Sequence, residues 1–130
     1  MRDEKRKYMI NKNRKRLPGG VWSAAPTPFN ARMELDKDAL ERMLEHDRRL
    51  GINGYFIAGT NGEGPWMRDA QRRQLLEYYV RRVRGRVPLA MQVTDNSAAR
   101  MLDNIAMARD AGADIAVIAP PYFISNKTPA

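Results

Sequence analysis

Apolar positions along this chain fall into short unbroken runs separated by longer stretches of helical spacing. Val21-Trp22-Ser23-Ala24-Ala25 reads as a strand. Pro26-Thr27-Pro28 stops it, because proline cannot donate to a ladder. Asp36 suits the N-cap of a first helix whose buried stripe is Leu40, Met43, Leu44 and Leu50, with Asp47 an imperfection. Arg48 and Arg49 complement the negative end of its dipole, and Gly51 suits the left-handed residue that closes it. Tyr55 to Ala58 is apolar without alternation, the pattern of a parallel strand covered on both faces. A second helix starts near Arg68 and shows Leu75, Leu76, Tyr79, Val80 and Val83, with arginines opposite. Pro88 to Val93 is a third strand. Ser97 caps a third helix with Met101, Leu102, Ile105 and Ala108 on one side. Gly112 ends it, and Ile115 to Ile118 is a fourth strand before Pro120 and Pro121.

Strands alternating with helices predict a parallel α/β sheet. One echo supports it. "LGINGYFIAG" from Leu50 and "AGADIAVIAP" from Ala111 share a layout: a helix-ending glycine, a small or aliphatic residue, Asn or Asp, then an apolar strand. The separation between the two copies is that of two strand-helix units. Periodicity alone leaves a barrel and an open doubly wound sheet both standing.

Working loops of such folds lie at the C-terminal ends of strands. "GTNGEG", from Gly59, is one. Glycines let backbone N–H groups turn toward a ligand, and a helix starting there would add donors, so the loop suits an anion. It is neither a phosphate loop, having no Gly-Lys-Ser/Thr, nor a dinucleotide fingerprint. A small carboxylate fits better, with Thr60 adding a hydroxyl and Asn61 an amide. The plain alternative is a strand-to-helix turn whose glycines serve geometry. Glu63 reads more readily as a helix-start carboxylate than as an acid or base. His46 reads as solvated, Tyr78 and Tyr79 as helix packing, and Trp66 with Met67 as an apolar wall over the loop.

Composition narrows this further. There is no cysteine, hence no disulfide framework and no thiolate metal site, which fits a cytoplasmic protein. Neither a metal nor an organic cofactor is expected. No apolar run reaches the roughly 18 residues of a membrane span, and the basic N-terminus does not read as a secretory signal. The net charge is +8, but most of it sits in residues 1–16, leaving the rest nearly balanced. That segment is expected to be a disordered tail, either a plain extension (with Met9 an alternative start) or a polyanion-binding arm. Nucleic acid is not the favoured partner. Residues 17–130 form the folded part.

"GVWSAAPTPF", "GINGYFIAGTNGEG" and "GADIAVIAPPYF" together resemble the N-terminal half of the dihydrodipicolinate synthase and N-acetylneuraminate lyase family, over Leu17 to about Pro129. The resemblance implies a (β/α)8 TIM barrel, here an incomplete one of four parallel strands and three helices. It also implies Schiff-base chemistry on pyruvate or a related 2-keto acid. Thr60 and Asn61 would then bind the keto acid's carboxylate, Thr60 would join a proton relay, and Tyr122 would be a substrate-side tyrosine. Two positions depart from the family pattern. Asn61 replaces a threonine, and Phe123 replaces a relay tyrosine and has no hydroxyl with which to pass a proton. A lyase or aldolase acting on another 2-keto acid is therefore implied as readily as the synthase.

The family's Schiff-base lysine lies near the end of the sixth strand, and this sequence is read as stopping after the fourth. Outside the tail its lysines are Lys37 and Lys127, and neither matches the catalytic position. The chain is accordingly expected to be a fragment or truncated reading frame, poorly soluble or oligomeric when made alone, from an enzyme that is a homo-oligomer when complete. Two other readings stand beside it. One is a non-catalytic binding module for a keto acid or, through the tail, a polyanion. The other is a subunit that completes its barrel with a separately made half.

Overall fold

A computed structural model describes residues 17–121 of the chain. The basic segment 1–16 and the positions Tyr122, Phe123 and Lys127 lie outside the described residues. The elements run β1 (Trp22–Ala24), α1 (Lys37–Leu50), β2 (Gly54–Ile57), a short 3-10 turn (Gly64–Trp66), α2 (Asp69–Val83), β3 (Leu89–Gln92), α3 (Ala98–Ala111) and β4 (Ile115–Val117). All neighbouring strands pair in parallel, in the order β1-β2-β3-β4. Trp22 pairs with Gly54, Tyr55 with Leu89, and Ala90 with Ile115. This is the expected four-strand, three-helix α/β arrangement.

Local chemistry explains the helix ends. Asp36 accepts from the Ala39 amide and Ser97 from that of Arg100, so both N-caps are made by the predicted residues. Gly51 (φ 68°) and Gly112 (φ 99°) take the left-handed C-terminal position. The echo between the two halves also has a physical meaning. Just before β2, the Asn53 carboxamide oxygen accepts from Val21 N–H at 2.8 Å. Just before β4, Asp114 Oδ2 accepts from Leu89 N–H at 2.9 Å. Each side chain fastens the start of its own strand to the start of the preceding one.

The core takes Tyr55, Ile57, Leu89, Met91 and Val93 from alternating strand positions and packs them on Leu40, Leu44, Leu75, Leu76, Tyr79, Val83 and Ala108. Tyr55 and Tyr79 meet edge to face with centroids 5.1 Å apart. Burial pushes the Tyr55 phenol up to about 12. Tyr78 is a tie between helices: its hydroxyl donates to Glu41 Oε2 at 2.9 Å, and the same carboxylate pairs with Arg82. His46 is exposed, as expected.

The apolar stripes needed three corrections. Leu50 and Leu102 are each 66% exposed, because each stands at the fringe of its helix's buried arc. Asn104 takes the inward position on α3 and donates to Val93 O at 3.3 Å. Arg72 is not opposite the stripe of α2 but on it, 4% exposed, with Nη2 donating to Gln92 O at 2.6 Å. A guanidinium can enter a core when a carbonyl accepts from it, and apolar periodicity does not register that possibility. No helix of the described residues is long and apolar enough to cross a membrane.

Replacing Asn53 or Asp114 by Ala should cost about 1 kcal/mol each and nearly add, since the sites share no partner. Urea unfolding of the single and double variants measures this. Equal midpoints in all four proteins would contradict the fastening role.

Candidate functional site

β2 ends one residue earlier than its apolar run, because Ala58 turns left-handed (φ 54°) while completely buried. Glu63, exposed, is also left-handed (φ 57°). Holding a non-glycine residue there costs on the order of 1–3 kcal/mol and requires surroundings that enforce it. The glycines supply them. A Cβ on Gly64 would stand 1.7 Å from the Ala58 carbonyl oxygen, and one on Gly62 would stand 2.8 Å from Ala25 O and 3.1 Å from Ala58 N. The turn is thus folded hard back onto the end of β2. Gly59, Gly62 and Gly64 are buried beneath it, while Thr60 and Asn61 are exposed on top.

The carbonyls of the turn are occupied from within. Gly64 N–H donates to Gly59 O at 3.0 Å, and Glu63 N–H to Thr60 O at 3.1 Å. In a trans peptide the N–H points opposite the C=O, and no peptide bond here is cis. The Gly59 carbonyl shares its plane with the Thr60 amide, and the Thr60 carbonyl with the Asn61 amide. Both carbonyls point into the turn, so both amides point out of it. Neither amide donates to an acceptor among the described residues. Two adjacent outward N–H groups beside an exposed hydroxyl make a seat for a small anion.

The side chains divide the work differently from the sequence expectation. Thr60 is free to face a ligand. Asn61 commits a side-chain N–H to the Ala24 carbonyl, at 2.6 Å, so part of its carboxamide is tied to β1. The expected helix start does not adjoin the seat. Gly64 and Pro65 open a three-residue 3-10 turn, and α2 begins only at Asp69. A Gly-Pro pair is a readable turn signal and marks this delay. Glu63 makes no side-chain capping bond. Met67 is buried as a wall residue, whereas Trp66 is 67% exposed.

Sequence reading missed a set of buried polar groups around this end of the sheet. Thr27 Oγ1 donates to Gly62 O at 2.6 Å, and Thr94 Oγ1 accepts from Ala119 N–H at 2.8 Å. With Arg72, Gln92 and Asn104 they gather at the C-terminal ends of the strands. Lone polar residues inside apolar strand ends were the available signal. Nearby, Arg100 bridges Asp95 and Asp69. Burial alone would raise the Asp95 carboxyl, but the Arg100 hydrogen bond and the Ser97 amide hold it below its usual range. Grooves of ≈ 580 and ≈ 590 Å³ lie elsewhere: one between the C-terminal ends of α1 and α2, the other beside the start of α1. Neither is lined by the turn. Lys37, the only lysine among the described residues, opens α1 in the second groove, exposed, and makes no bond to the seat.

The sequence pattern of the dihydrodipicolinate synthetase family matches residues 17–129. The chain belongs to this family. It is 35% identical over 104 residues to a 4-hydroxy-tetrahydrodipicolinate synthase of Kosmotoga olearia, covering 80% of this chain and 35% of that protein. Against the same-named protein of Exiguobacterium sibiricum it is 33% identical over 109 residues, covering 84% and 36%. Among solved structures, dihydrodipicolinate synthase from Thermotoga maritima matches with a TM-score of 0.76 at 30% identity, covering 80% of this chain and 35% of that one. A prophage protein of the same family from E. coli K12, solved in complex with pyruvate, matches with a TM-score of 0.76 at 26% identity, covering 81% and 35%. The chain spans about a third of the length of these relatives. Its four strands and three helices correspond to part of the family's TIM barrel.

Gly64→Ala should destabilise the chain by about 1–3 kcal/mol or more, because the Ala58 carbonyl cannot yield without undoing the turn. Gly19→Ala, where a Cβ meets nothing within 4 Å, is the control and should change stability by no more than about 0.5 kcal/mol. Urea midpoints compare the two. Similar values for both variants would show that the turn is not packed this way.

Proposed function

We propose that these residues are the amino-terminal portion of a Schiff-base-forming carbon–carbon lyase of the aldolase type, acting on pyruvate or a related 2-keto acid. The portion described here seats the acid's carboxylate. The observation that carries this reading is the pair of amides at Thr60 and Asn61 that donate to nothing among the described residues, aimed out of a turn whose carbonyls are fixed. A carboxylate accepts from such amides in charge-assisted hydrogen bonds, and its two oxygens match two donors plus the Thr60 hydroxyl. Family membership adds the chemistry: a relative in the same fold was solved holding pyruvate. Thr60 then sits beside the keto acid, placed to pass a proton, and the family resemblance assigns Tyr122, outside the described residues, as a substrate-side tyrosine.

Among the described residues the seat comes without the amine. A Schiff-base lysine has to be desolvated beside the ketone. Lys37 is exposed on the outer helix layer, and Lys127 falls in a polar stretch between Asn126 and Thr128. The covalent step is therefore assigned to residues other than those described, and the complete enzyme to a homo-oligomer in the cytoplasm.

Calorimetric titration tests this. Pyruvate should bind reversibly with a dissociation constant of roughly 1 mM, and acetone, which keeps the ketone and lacks the carboxylate, should not bind. Borohydride added with pyruvate should leave the mass of the chain unchanged. Equal affinity for acetone would refute the carboxylate seat, and a reduced pyruvyl adduct would refute the missing amine.

A further inference from the structure

Two hydrogen bonds join the turn to the end of β1, and they run in opposite directions. Thr27 Oγ1 reaches up from the segment after β1 and donates to Gly62 O at 2.6 Å. Asn61 Nδ2 reaches back from the turn and donates to Ala24 O at 2.6 Å. They span 35 and 37 residues of sequence. Thr27 is 5% exposed, so water does not compete for its bond.

The consequence follows from peptide planarity. The Gly62–Glu63 peptide unit is held at both ends: its oxygen accepts from Thr27, and its N–H donates to Thr60 O. That second bond orients the plane two peptides earlier, the one carrying the Thr60 carbonyl and the Asn61 amide. Asn61 anchors the other side of the same plane through its own side chain. An anion seat built of backbone donors is only as good as the orientation of its planes, because ordering them at the moment of binding would cost affinity.

We infer that Thr27 and Asn61 are positioning residues that hold the Asn61 amide in binding orientation by tying the β2 turn to β1, beside the Thr60 amide that the Gly64 bond to Gly59 orients. This rests on the reading of that turn as a keto-acid seat. It gives Asn61 a different duty from that of a ligand: its side chain serves as a strut, and its backbone faces the acid.

The test uses the full chain with pyruvate as the probe and two readouts, calorimetric affinity and residue-resolved amide exchange. Thr27→Val keeps the shape and removes the donor. Thr27→Ser keeps the donor, and Asn61→Leu removes the other strut without adding charge. Thr27→Val and Asn61→Leu should each weaken pyruvate binding by about fivefold to tenfold and speed exchange at Glu63 and Gly64. Thr27→Ser should restore both. A merely structural role for Thr27 would slow or speed exchange across the core rather than at these two amides. Wild-type affinity together with wild-type exchange in Thr27→Val overturns the inference. If the wild-type chain does not bind pyruvate, the keto-acid reading fails by itself, and exchange at Glu63 and Gly64 still decides the struts: local acceleration upholds them, and no change refutes them.

Discussion

A peptide plane cannot present its N–H and its C=O to the same side, and the proposed site depends on that constraint. At the end of β2 the carbonyls of Gly59 and Thr60 are drawn inward by the amides of Gly64 and Glu63. Two donors are thereby turned outward with nothing in the described protein to receive them. The close approach of Gly64 to the Ala58 carbonyl and the left-handed twist at Ala58 are the local cost of this arrangement. That strain lies in the turn and not in the regular elements around it, which is where functional geometry is commonly stored.

The two ends of the sheet are built on different physics. At the C-terminal ends of the strands, buried polar side chains reach backbone atoms of neighbouring segments, as Thr27, Arg72 and Asn104 do. Buried bonds of that kind define geometry, because leaving either partner unsatisfied is expensive. At the other end, near the C-termini of α1 and α2, charges pair in the open. Arg48 and Arg49 flank Glu45 and pull its carboxyl down to about 2. Exposed pairs of this sort contribute little to stability. One end is positioned and the other is solvated, the division expected when ligands meet only the C-terminal ends of parallel strands.

What the sequence made legible was local. Asp36, Ser97, Gly51 and Gly112 act within a turn of their own positions, and each does what its residue type suggests. Parallel pairing followed from the alternation of elements, the sequential strand order only from the family resemblance, and the repeated Asn53 and Asp114 motif from its spacing. What was hidden depended on partners far along the chain. Asn61 looked like a ligand amide until Ala24 was found against it, and Arg72 looked like solvent-facing charge until Gln92 was found to accept from it. Thr27, between two prolines, carried no periodic signal at all. Residue type told that a polar group was present, and only the fold told which carbonyl it would meet.

The central claim is a location: the carboxylate of a 2-keto acid rests on the amides of Thr60 and Asn61. Nitrogen-15 NMR of the chain titrated with pyruvate reads that location directly. The account predicts saturable shifts that are largest at the Thr60 and Asn61 amides and small at the exposed arginines around the C-terminal ends of α1 and α2. Shifts concentrated on those arginines, with Thr60 and Asn61 unmoved at saturation, would contradict it.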